Sequence, residues 1–214
     1  MPHIAILGAG AVGTALATNW AARGHEITFG VRDADSESAR KALNMLGGRA
    51  RGTHFADAVT AGDVVVLALP WRAVEATLAG VDDFGGRVLI DATNPLEFVD
   101  GSLRLAVGHT TSGGERVAEW ARGARVVKTL NQIGAERMAE PSALSPKPVM
   151  FAAGDDPEAR EEALALIADL GFEAQDFGPL AGARLLEPFA LTWIHMALVR
   201  GELLPVSWTG SGVI

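Results

Sequence analysis

Short apolar runs alternate with amphipathic segments along most of this 214-residue chain. Five runs are predominantly apolar, at residues 3–7, 26–31, 63–69, 87–91 and 125–130. Such runs are typical of parallel strands, which are buried on both faces of a sheet. Between them, apolar positions recur at helical spacing, as over residues 36–46. The alternation, without internal repeats, predicts an α/β fold: a Rossmann-like, doubly wound parallel sheet with a small C-terminal α/β extension.

The remaining segments include one long irregular stretch and a C-terminal strand–helix unit. A short strand is predicted near 53–55, a loop over 94–111, and a helix opened by Ser112 with Glu115 at capping-box spacing. Later segments predict a strand at 148–151, a helix at 156–170, a strand at 172–176 and a long helix from about Gly182. We expect one domain over 1–214, with a dinucleotide-binding core over 1–140 and the extension over 141–214.

The first strand leads directly into a glycine-rich loop that opens a helix. This loop is the sequence Gly8-Ala9-Gly10-Ala11-Val12-Gly13. Strand, glycine turn and helix in this order form the dinucleotide-binding fingerprint. In that fingerprint the first glycine allows a tight turn, the second lets the backbone approach a pyrophosphate, and the third allows close packing of helix and strand. All six residues are therefore predicted to bind the cofactor, with the phosphates at the helix N-terminus.

The end of the second strand indicates which dinucleotide is preferred. An acidic residue at this point binds the ribose 2′-hydroxyl of NAD. Here the strand ends in Val31 and Arg32, and Asp33 comes only after the arginine. A guanidinium is suited to a 2′-phosphate, so Val31 and Arg32 predict NADP(H). The alternative is an ordinary solvated arginine.

Candidate site residues follow three further strands, where the carboxyl ends of a parallel sheet bind ligands. Leu69 ends the third apolar run, and Pro70 and Trp71 follow it. All three are predicted to contact the cofactor. Trp71 has an alternative role as a cover for the sheet edge. Asn94 follows the fourth run, and Thr129 and Asn131 end the fifth. Asn94 is a cofactor-binding candidate, and all three polar residues are candidates for contact with a second reactant.

Composition and charge narrow the class of function. The net charge is −8 and the chain has no long basic run, which argues against nucleic acid or an anionic membrane as partner. There is no cysteine, and the histidines lack metal-ligand spacing, so we expect no metal site. The first residues lack the features of a signal peptide, and the default expectation is a cytoplasmic protein.

No group of residues in the sequence indicates acid–base or nucleophilic catalysis. His195 lies in the apolar final helix, where a core or interface histidine is expected rather than a catalyst. The segment after Asn131 is too short for a second full domain, so the second reactant must bind largely on the nucleotide domain. Hydride transfer between two flat cofactors needs aligned rings rather than a protein acid, which is consistent with this composition.

With these residues assembled, the chain resembles the NADPH-dependent coenzyme F420 reductase family over nearly its whole length. The reductase domain of the six-transmembrane ferric reductases is similar. The shared residues are Gly8 to Gly13, Gly24-His25-Glu26-Ile27, Gly30 with Arg32, Leu69-Pro70-Trp71, Val126-Val127 with Leu130, Gly154-Asp155-Asp156, and Gly178-Pro179-Leu180 with Arg184 and Glu187. The resemblance implies NADPH as cofactor and hydride transfer to coenzyme F420, FMN or FAD.

Two departures from the family pattern affect what the resemblance implies. Asn131 stands where the deazaflavin reductases tend to carry histidine, and Val31 replaces a serine that often precedes the arginine. The acceptor therefore stays open between F420 and a flavin. Arg184 and Glu187, three apart on one helix, predict an ion pair or an acceptor contact. The apolar final helix is expected to shield the site, form a homodimer contact, or pack in the core.

A function of a different class is also compatible with these residues. The protein would then bind NADP as a sensor or regulatory subunit and catalyse nothing. Oxidation of NADPH in the presence of candidate acceptors separates the two classes.

Overall fold

A computed structural model of the chain describes residues 1–141 and 147–201. The strands are β1 (Ile4–Leu7), β2 (Ile27–Gly30), β3 (Ala50–Thr53), β4 (Val64–Leu67), β5 (Val88–Asp91), β6 (Leu96–Val99), β7 (Ser102–Leu105), β8 (Arg125–Lys128), β9 (Val149–Gly154) and β10 (Glu173–Gly178). The helices are α1 (Ala11–Ala22), α2 (Glu37–Leu46), α3 (Phe55–Ala61), α4 (Trp71–Leu78), α5 (Gly113–Trp120), α6 (Ala135–Ala139), α7 (Pro157–Leu170) and α8 (Ala183–Leu198).

Eight of the described strands form one sheet in the order β10-β9-β8-β5-β4-β1-β2-β3. Neighbouring strands are parallel except β8 and β9, which are antiparallel. The Rossmann-like α/β prediction is confirmed, and the reversed β9 is the departure from a wholly parallel sheet. Strands β9 and β10, from the C-terminal part of the chain, extend this same sheet at one end.

The central strands end level with one another, and their ends form a common carboxyl edge. Leu7 is in register with Gly30 on one side and Leu67 on the other, and Leu67 is followed across the sheet by Asp91 and Lys128. Strand order reverses between β1 and β4, because β2 and β3 lie on one side of β1 and β4 and β5 on the other. A ligand crevice is expected at this point of an open α/β sheet.

Two apolar clusters cover the two faces of the sheet. One contains Trp20 of α1 and Leu166 of α7, and the indole N–H of Trp20 donates to the Leu166 carbonyl at 3.1 Å. The other contains residues of α3, α4 and α5 together with Phe84. The central strand β1 is buried at every position, which explains its unbroken apolar sequence.

Helix ends follow local sequence signals. Ser36, Ser112 and Asp156 each accept a hydrogen bond from a backbone N–H of the helix that they precede, as N-caps do. Gly47 and Gly171 end α2 and α7 in the left-handed conformation. The Ser112 capping-box prediction is confirmed.

Two sequence-based expectations were wrong in detail. The predicted loop at 94–111 contains a hairpin, in which β6 and β7 are joined by Asp100 and Gly101 with φ of 50° and 75°. Asp-Gly between alternating apolar residues is a strong signal for a hairpin, and this signal was overlooked in the sequence. The strand expected near 53–55 is β3, which ends at Thr53, and Phe55 already belongs to α3. Among the described residues, no helix is both long and apolar enough to cross a membrane.

Candidate active site

The glycine loop between β1 and α1 has the conformation that its sequence predicts. Gly8 has φ of +115°, and a side chain there would collide with the carbonyl of Ala68. A side chain at Gly13 would collide with the carbonyl of Gly8, so helix and loop pack as closely as the fingerprint requires. Gly10 differs from both, because it has an ordinary φ of −82° and a Cβ there would meet open space. That open space is where a pyrophosphate would approach the backbone.

Helix α1 begins at Ala11 with Gly10 as its N-cap. Gly10 has no side chain to occupy the first backbone N–H groups, and the first turn contains no acidic residue. The helix end therefore presents N–H groups and a positive dipole end, a combination that binds phosphates.

A cleft of about 660 Å³ lies along the carboxyl edge beside this loop. Seven predicted cofactor residues line it: Gly8, Ala9, Gly10, Val31, Arg32, Leu69 and Pro70. Ala11 lines an adjoining cavity of about 580 Å³ between α1, α2 and α6. Val12 and Gly13 lie in the first turn of α1, outside the lining of the cleft.

Trp71 and Asn94 also lie outside the lining of the cleft. Trp71 begins α4 and packs on Trp120 of α5, with ring centroids 5.5 Å apart. Both indoles pack against the apolar cluster that contains Phe84. Asn94 follows β5 and belongs to the far end of the carboxyl edge, described below.

Two exposed arginines, Arg32 and Arg72, line the cleft. Arg32 follows β2 and has no ion-pair partner among the described residues, so its guanidinium is available for a phosphate. Asp33 next to it accepts a hydrogen bond from the backbone N–H of Asp35 at 2.9 Å, which engages its carboxylate within the loop. Arg72 of α4 lines the same cleft. Sequence analysis missed Arg72 because an arginine in the first turn of a helix is usually a solvated residue.

At the far end of the carboxyl edge, beyond β5 and β8, the predicted polar residues come together. The Asn131 side-chain amide donates to the Asn94 side-chain oxygen at 3.3 Å and to the Leu186 carbonyl of α8 at 3.3 Å. Asn131 and Thr129 are buried, whereas Asn94 is half-buried. The Thr129 hydroxyl is buried without a hydrogen-bond partner among the described residues. Asn94 is thus the member of this group whose side chain remains accessible.

A buried charge cluster, which the sequence did not reveal, lies beneath these residues. It consists of Lys128, Asp91 and Glu187. The Lys128 ammonium contacts Asp91 Oδ2 at 2.9 Å and Glu187 Oε1 at 3.2 Å, and donates to the Thr93 carbonyl at 2.6 Å. All three side chains are at most 1% exposed. The three donors of the ammonium are therefore matched by three oxygens.

The electrostatics of the cluster favour charged Lys128. Burial alone would lower the pKa of Lys128, but the carboxylates of Asp91 and Glu187 outweigh burial and hold this pKa above its ordinary value. Two carboxylates against one ammonium leave an excess negative charge. The backbone N–H groups of Gly113 and Gly114, at the start of α5, donate to Glu187 at 2.8 and 2.9 Å and offset it.

Arg184 and Glu187 do not pair with each other, so the predicted ion pair between them was wrong. Glu187 faces inward to Lys128, whereas the Arg184 guanidinium binds both carboxylate oxygens of Glu115, with Nε at 2.9 Å from Oε2. The hydrogen bond to Arg184 lowers the pKa of Glu115, with a smaller contribution from Ser112. His195 is exposed near the end of α8, so it is not a core residue.

Comparison with known proteins places this geometry among NADP-dependent reductases. The family model described as "NADP oxidoreductase coenzyme F420-dependent" matches residues 3–95. The F420-dependent NADP reductase of Methanothermobacter thermautotrophicus is 35% identical over 90% of this chain and 88% of that protein. The metalloreductase STEAP3 of Rattus norvegicus is 26% identical over 89% of this chain and 36% of its own length.

A solved structure is similar over almost the whole chain. It is the crystal structure of a protein assigned as an F420-dependent NADP-reductase from Arthrobacter sp. FB24, with a TM-score of 0.83 and 30% identity. The match covers 94% of this chain and 96% of that one.

Proposed function

The chain belongs to the family of coenzyme F420-dependent NADP oxidoreductases, and we propose that it transfers a hydride between NADPH and a deazaflavin or flavin. Its class, an NADP-dependent oxidoreductase, follows from that membership. The observation that carries the finer proposal is the continuity of the carboxyl edge. The glycine loop and Arg32 lie at one end of this edge, and Asn94 lies accessible at the other.

Strand order supports one position for the cofactor. The crevice opens between β1 and β4, and the β2 side carries Arg32, the group suited to the 2′-phosphate of the adenosine half. With the pyrophosphate at Gly10, the nicotinamide extends over the β4 and β5 side. In this placement the nicotinamide approaches the far end, where Asn94 and Asn131 meet.

The second reactant is proposed to lie against the nicotinamide at the far end. Asn131 and Thr129 form the buried floor, and Asn94 supplies an accessible polar edge. Hydride transfer between two ring systems requires alignment and exclusion of water, and α8 closes this region from one side through the contact of Leu186 with Asn131. F420, FMN and FAD all have the flat ring that such a site accepts.

An anaerobic assay of NADPH oxidation tests the proposal. Purified protein is mixed with NADPH and, separately, with F420, FMN, FAD and a quinone, and absorbance of NADPH is followed. We expect turnover with F420 or a flavin, and no turnover with the quinone. Tight NADPH binding by calorimetry without turnover of any acceptor would instead support a sensor or regulatory protein.

We also propose that the protein is a homodimer through the outer face of α8. Leu185 and Val199 on this face are 66% and 46% exposed, and Phe98 on the β6–β7 hairpin is 63% exposed. Leu185, Met196 and Val199 are separated by close to whole helical turns, so these apolar residues share one face. Light scattering after gel filtration tests this: a dimer is expected, and Leu185→Glu is expected to yield monomers.

A further inference from the structure

Three side-chain amides at the far end are joined one to the next by hydrogen bonds. We call these residues, Gln132, Asn131 and Asn94, the amide relay. Gln132 begins it, because its side chain exchanges two hydrogen bonds with the backbone of Phe151 on β9. The Phe151 N–H donates to Gln132 Oε1 at 2.9 Å, and Gln132 Nε2 donates to the Phe151 carbonyl at 3.0 Å. A backbone N–H can only donate and a carbonyl can only accept, so the orientation of the Gln132 amide is fixed.

The orientation passes from Gln132 to Asn131. Gln132 Nε2 also donates to Asn131 Oδ1 at 3.4 Å, which places the oxygen of Asn131 toward Gln132. The Leu186 carbonyl independently requires a donor, and Asn131 Nδ2 meets it at 3.3 Å. Two separate partners therefore select the same orientation of the Asn131 amide. Asn131 is 1% exposed, so water does not compete for these hydrogen bonds.

Asn131 in turn orients Asn94. Asn131 Nδ2 donates to Asn94 Oδ1 at 3.3 Å, so the oxygen of Asn94 faces the relay. The Asn94 nitrogen is turned the other way and has no hydrogen-bond partner among the described residues. Asn94 is half-buried, and this nitrogen is the accessible end of the relay.

The buried charge cluster binds the chain next to Asn94 and next to Leu186, the residue whose carbonyl accepts from Asn131. The Lys128 ammonium donates to the carbonyl of Thr93, the residue before Asn94. Glu187, which follows Leu186, forms an ion pair with the same ammonium. Leu130, between the cluster and Asn131, has φ of 58°, a conformation that a leucine adopts only when its surroundings impose it.

We propose that Asn94 donates a hydrogen bond from Nδ2 to the hydride-accepting ring, and that Asn131 and Gln132 are positioning residues that fix this donor. The proposal rests on the proposed function. A ring that accepts a hydride gains negative charge on its carbonyl and nitrogen acceptors, and an oriented N–H stabilises that charge more than the neutral ground state. Asn94 would then act on the second reactant rather than on NADPH.

Asn94→Asp is the variant that tests the donor. The aspartate is isosteric and keeps an oxygen for Asn131 Nδ2, but presents a second oxygen where Asn94 presents a donor. With F420 and FMN as probes, kcat/KM for whichever acceptor the wild type reduces is expected to fall about ten- to a hundredfold. The Kd of NADPH, measured by calorimetry, is expected to stay unchanged. Glu97→Gln, a carboxylate-to-amide change on the adjoining hairpin, is the matched control and should leave both values unchanged.

A double-variant measurement tests the relay itself. Asn131→Leu should also lower kcat/KM for the acceptor without changing the Kd of NADPH. If Asn131 acts through Asn94, the double variant with Asn94→Asp is no worse than Asn94→Asp alone, whereas independent effects would multiply. A merely structural role for Asn131 predicts multiplication and overturns the relay.

The remaining outcomes separate this inference from the proposed function. Wild-type activity in Asn94→Asp overturns the inference alone. A weakened NADPH affinity with an unchanged acceptor KM also overturns it, because Asn94 would then contact the nicotinamide. Failure of the wild type to reduce F420, FMN or FAD with NADPH overturns the proposed function and this inference with it.

Discussion

The glycine loop and Arg32 form what we call the phosphate end of the cleft, after the phosphates proposed to bind there. This end and the far end of the same sheet edge are built from different groups. At the phosphate end, backbone N–H groups of α1, a glycine with open space beside it, and the exposed Arg32 are offered to solvent. At the far end the groups are buried and already paired: Lys128 pairs with Glu187 of α8, and the Asn131 amide donates to the Leu186 carbonyl of the same helix.

This difference agrees with the proposed roles of the two ends, which are cofactor binding at one and hydride transfer at the other. A dinucleotide with several charges is bound well by open backbone donors and by cations, and such groups need little support. An oriented donor beside a reacting ring needs rigid surroundings, because small errors in position cost rate. The far end is accordingly fixed by hydrogen bonds to β5, β8, β9 and α8.

Lys128→Met is expected to have the largest effect. It leaves Asp91 and Glu187 buried and facing each other without a counter-ion, and removal of one partner from a buried pair costs about 3–5 kcal/mol. The free energy of unfolding from urea denaturation measures this loss. Arg184→Met, which breaks the partly exposed pair between α8 and Glu115 of α5, is the control and should cost much less. Equal losses would show that the two pairs are equivalent.

Gly10→Val is expected to abolish most dinucleotide binding without unfolding the protein. Gly10 has φ of −82° and free space for a Cβ, so the fold accepts a side chain, but this side chain occupies the path of the pyrophosphate. The Kd of NADPH by calorimetry should rise at least about a hundredfold, or about 2.7 kcal/mol. Gly8→Ala is the contrast, because φ of +115° and the Ala68 carbonyl make it destabilise the fold itself. An unchanged Kd in Gly10→Val would place the phosphates elsewhere.

Arg32→Ala tests the choice of cofactor at the same end. NADPH affinity should fall by about 1.5–3 kcal/mol, the range for a hydrogen bond to a charged group. NADH lacks the 2′-phosphate, so its affinity should barely change, and calorimetry with both cofactors gives the comparison. A similar loss for NADPH and NADH would mean that Arg32 does not select the 2′-phosphate.

The smallest expected effect is the pH dependence of the stability that Glu115 contributes. The pKa of Glu115 is lowered below its ordinary 4.5, chiefly by Arg184. Its contribution to stability is therefore fully present above pH 4.5 and is lost as pH falls through the lowered pKa. The difference in Tm between wild type and Glu115→Gln should be constant from pH 7 to 5 and shrink below 4.5. A constant difference down to pH 3 would argue against the Arg184 contact.

The buried cluster has the opposite pH dependence. The pKa of Lys128 is raised above its ordinary 10.5, so its contribution to stability is complete below pH 10.5 and is lost only as pH rises through the raised pKa. Tm of wild type relative to Lys128→Met should therefore be steady through neutral and moderately alkaline pH. An early decline near pH 8 would mean that burial outweighs the two carboxylates and would contradict the raised pKa of Lys128.

The phosphate end could be predicted from the sequence because its determinants are neighbours in the chain. Gly8, Gly10 and Gly13 act within one turn, and the end of β2 places Arg32 beside them through ordinary parallel pairing. The hairpin at Asp100 and Gly101 was equally local, and its turn sequence was sufficient to predict it.

Partner choice among charged and amide side chains could not be predicted in the same way. Asn131 meets Asn94 across 37 positions and Leu186 across 55, and Glu187 meets Gly113 across 74. Spacing along α8 suggested a pair between Arg184 and Glu187, but the two side chains point to different sides of the helix and bind other elements. Local spacing identifies possible partners, and packing selects among them.

The sequence by itself determined the α/β fold class, the helix caps and the dinucleotide fingerprint, because each is marked by a pattern of residues that are close together in the chain. Only the tertiary structure decided that β9 runs antiparallel to β8, that Lys128 is buried between two carboxylates, and that the Asn94 nitrogen is the accessible end of the amide relay. The physical reason is that a buried polar group must find its partner among whatever backbone and side-chain groups the fold brings within 3 to 4 Å. That set is defined by the packing of α8 and β9 on the sheet edge and not by order along the chain.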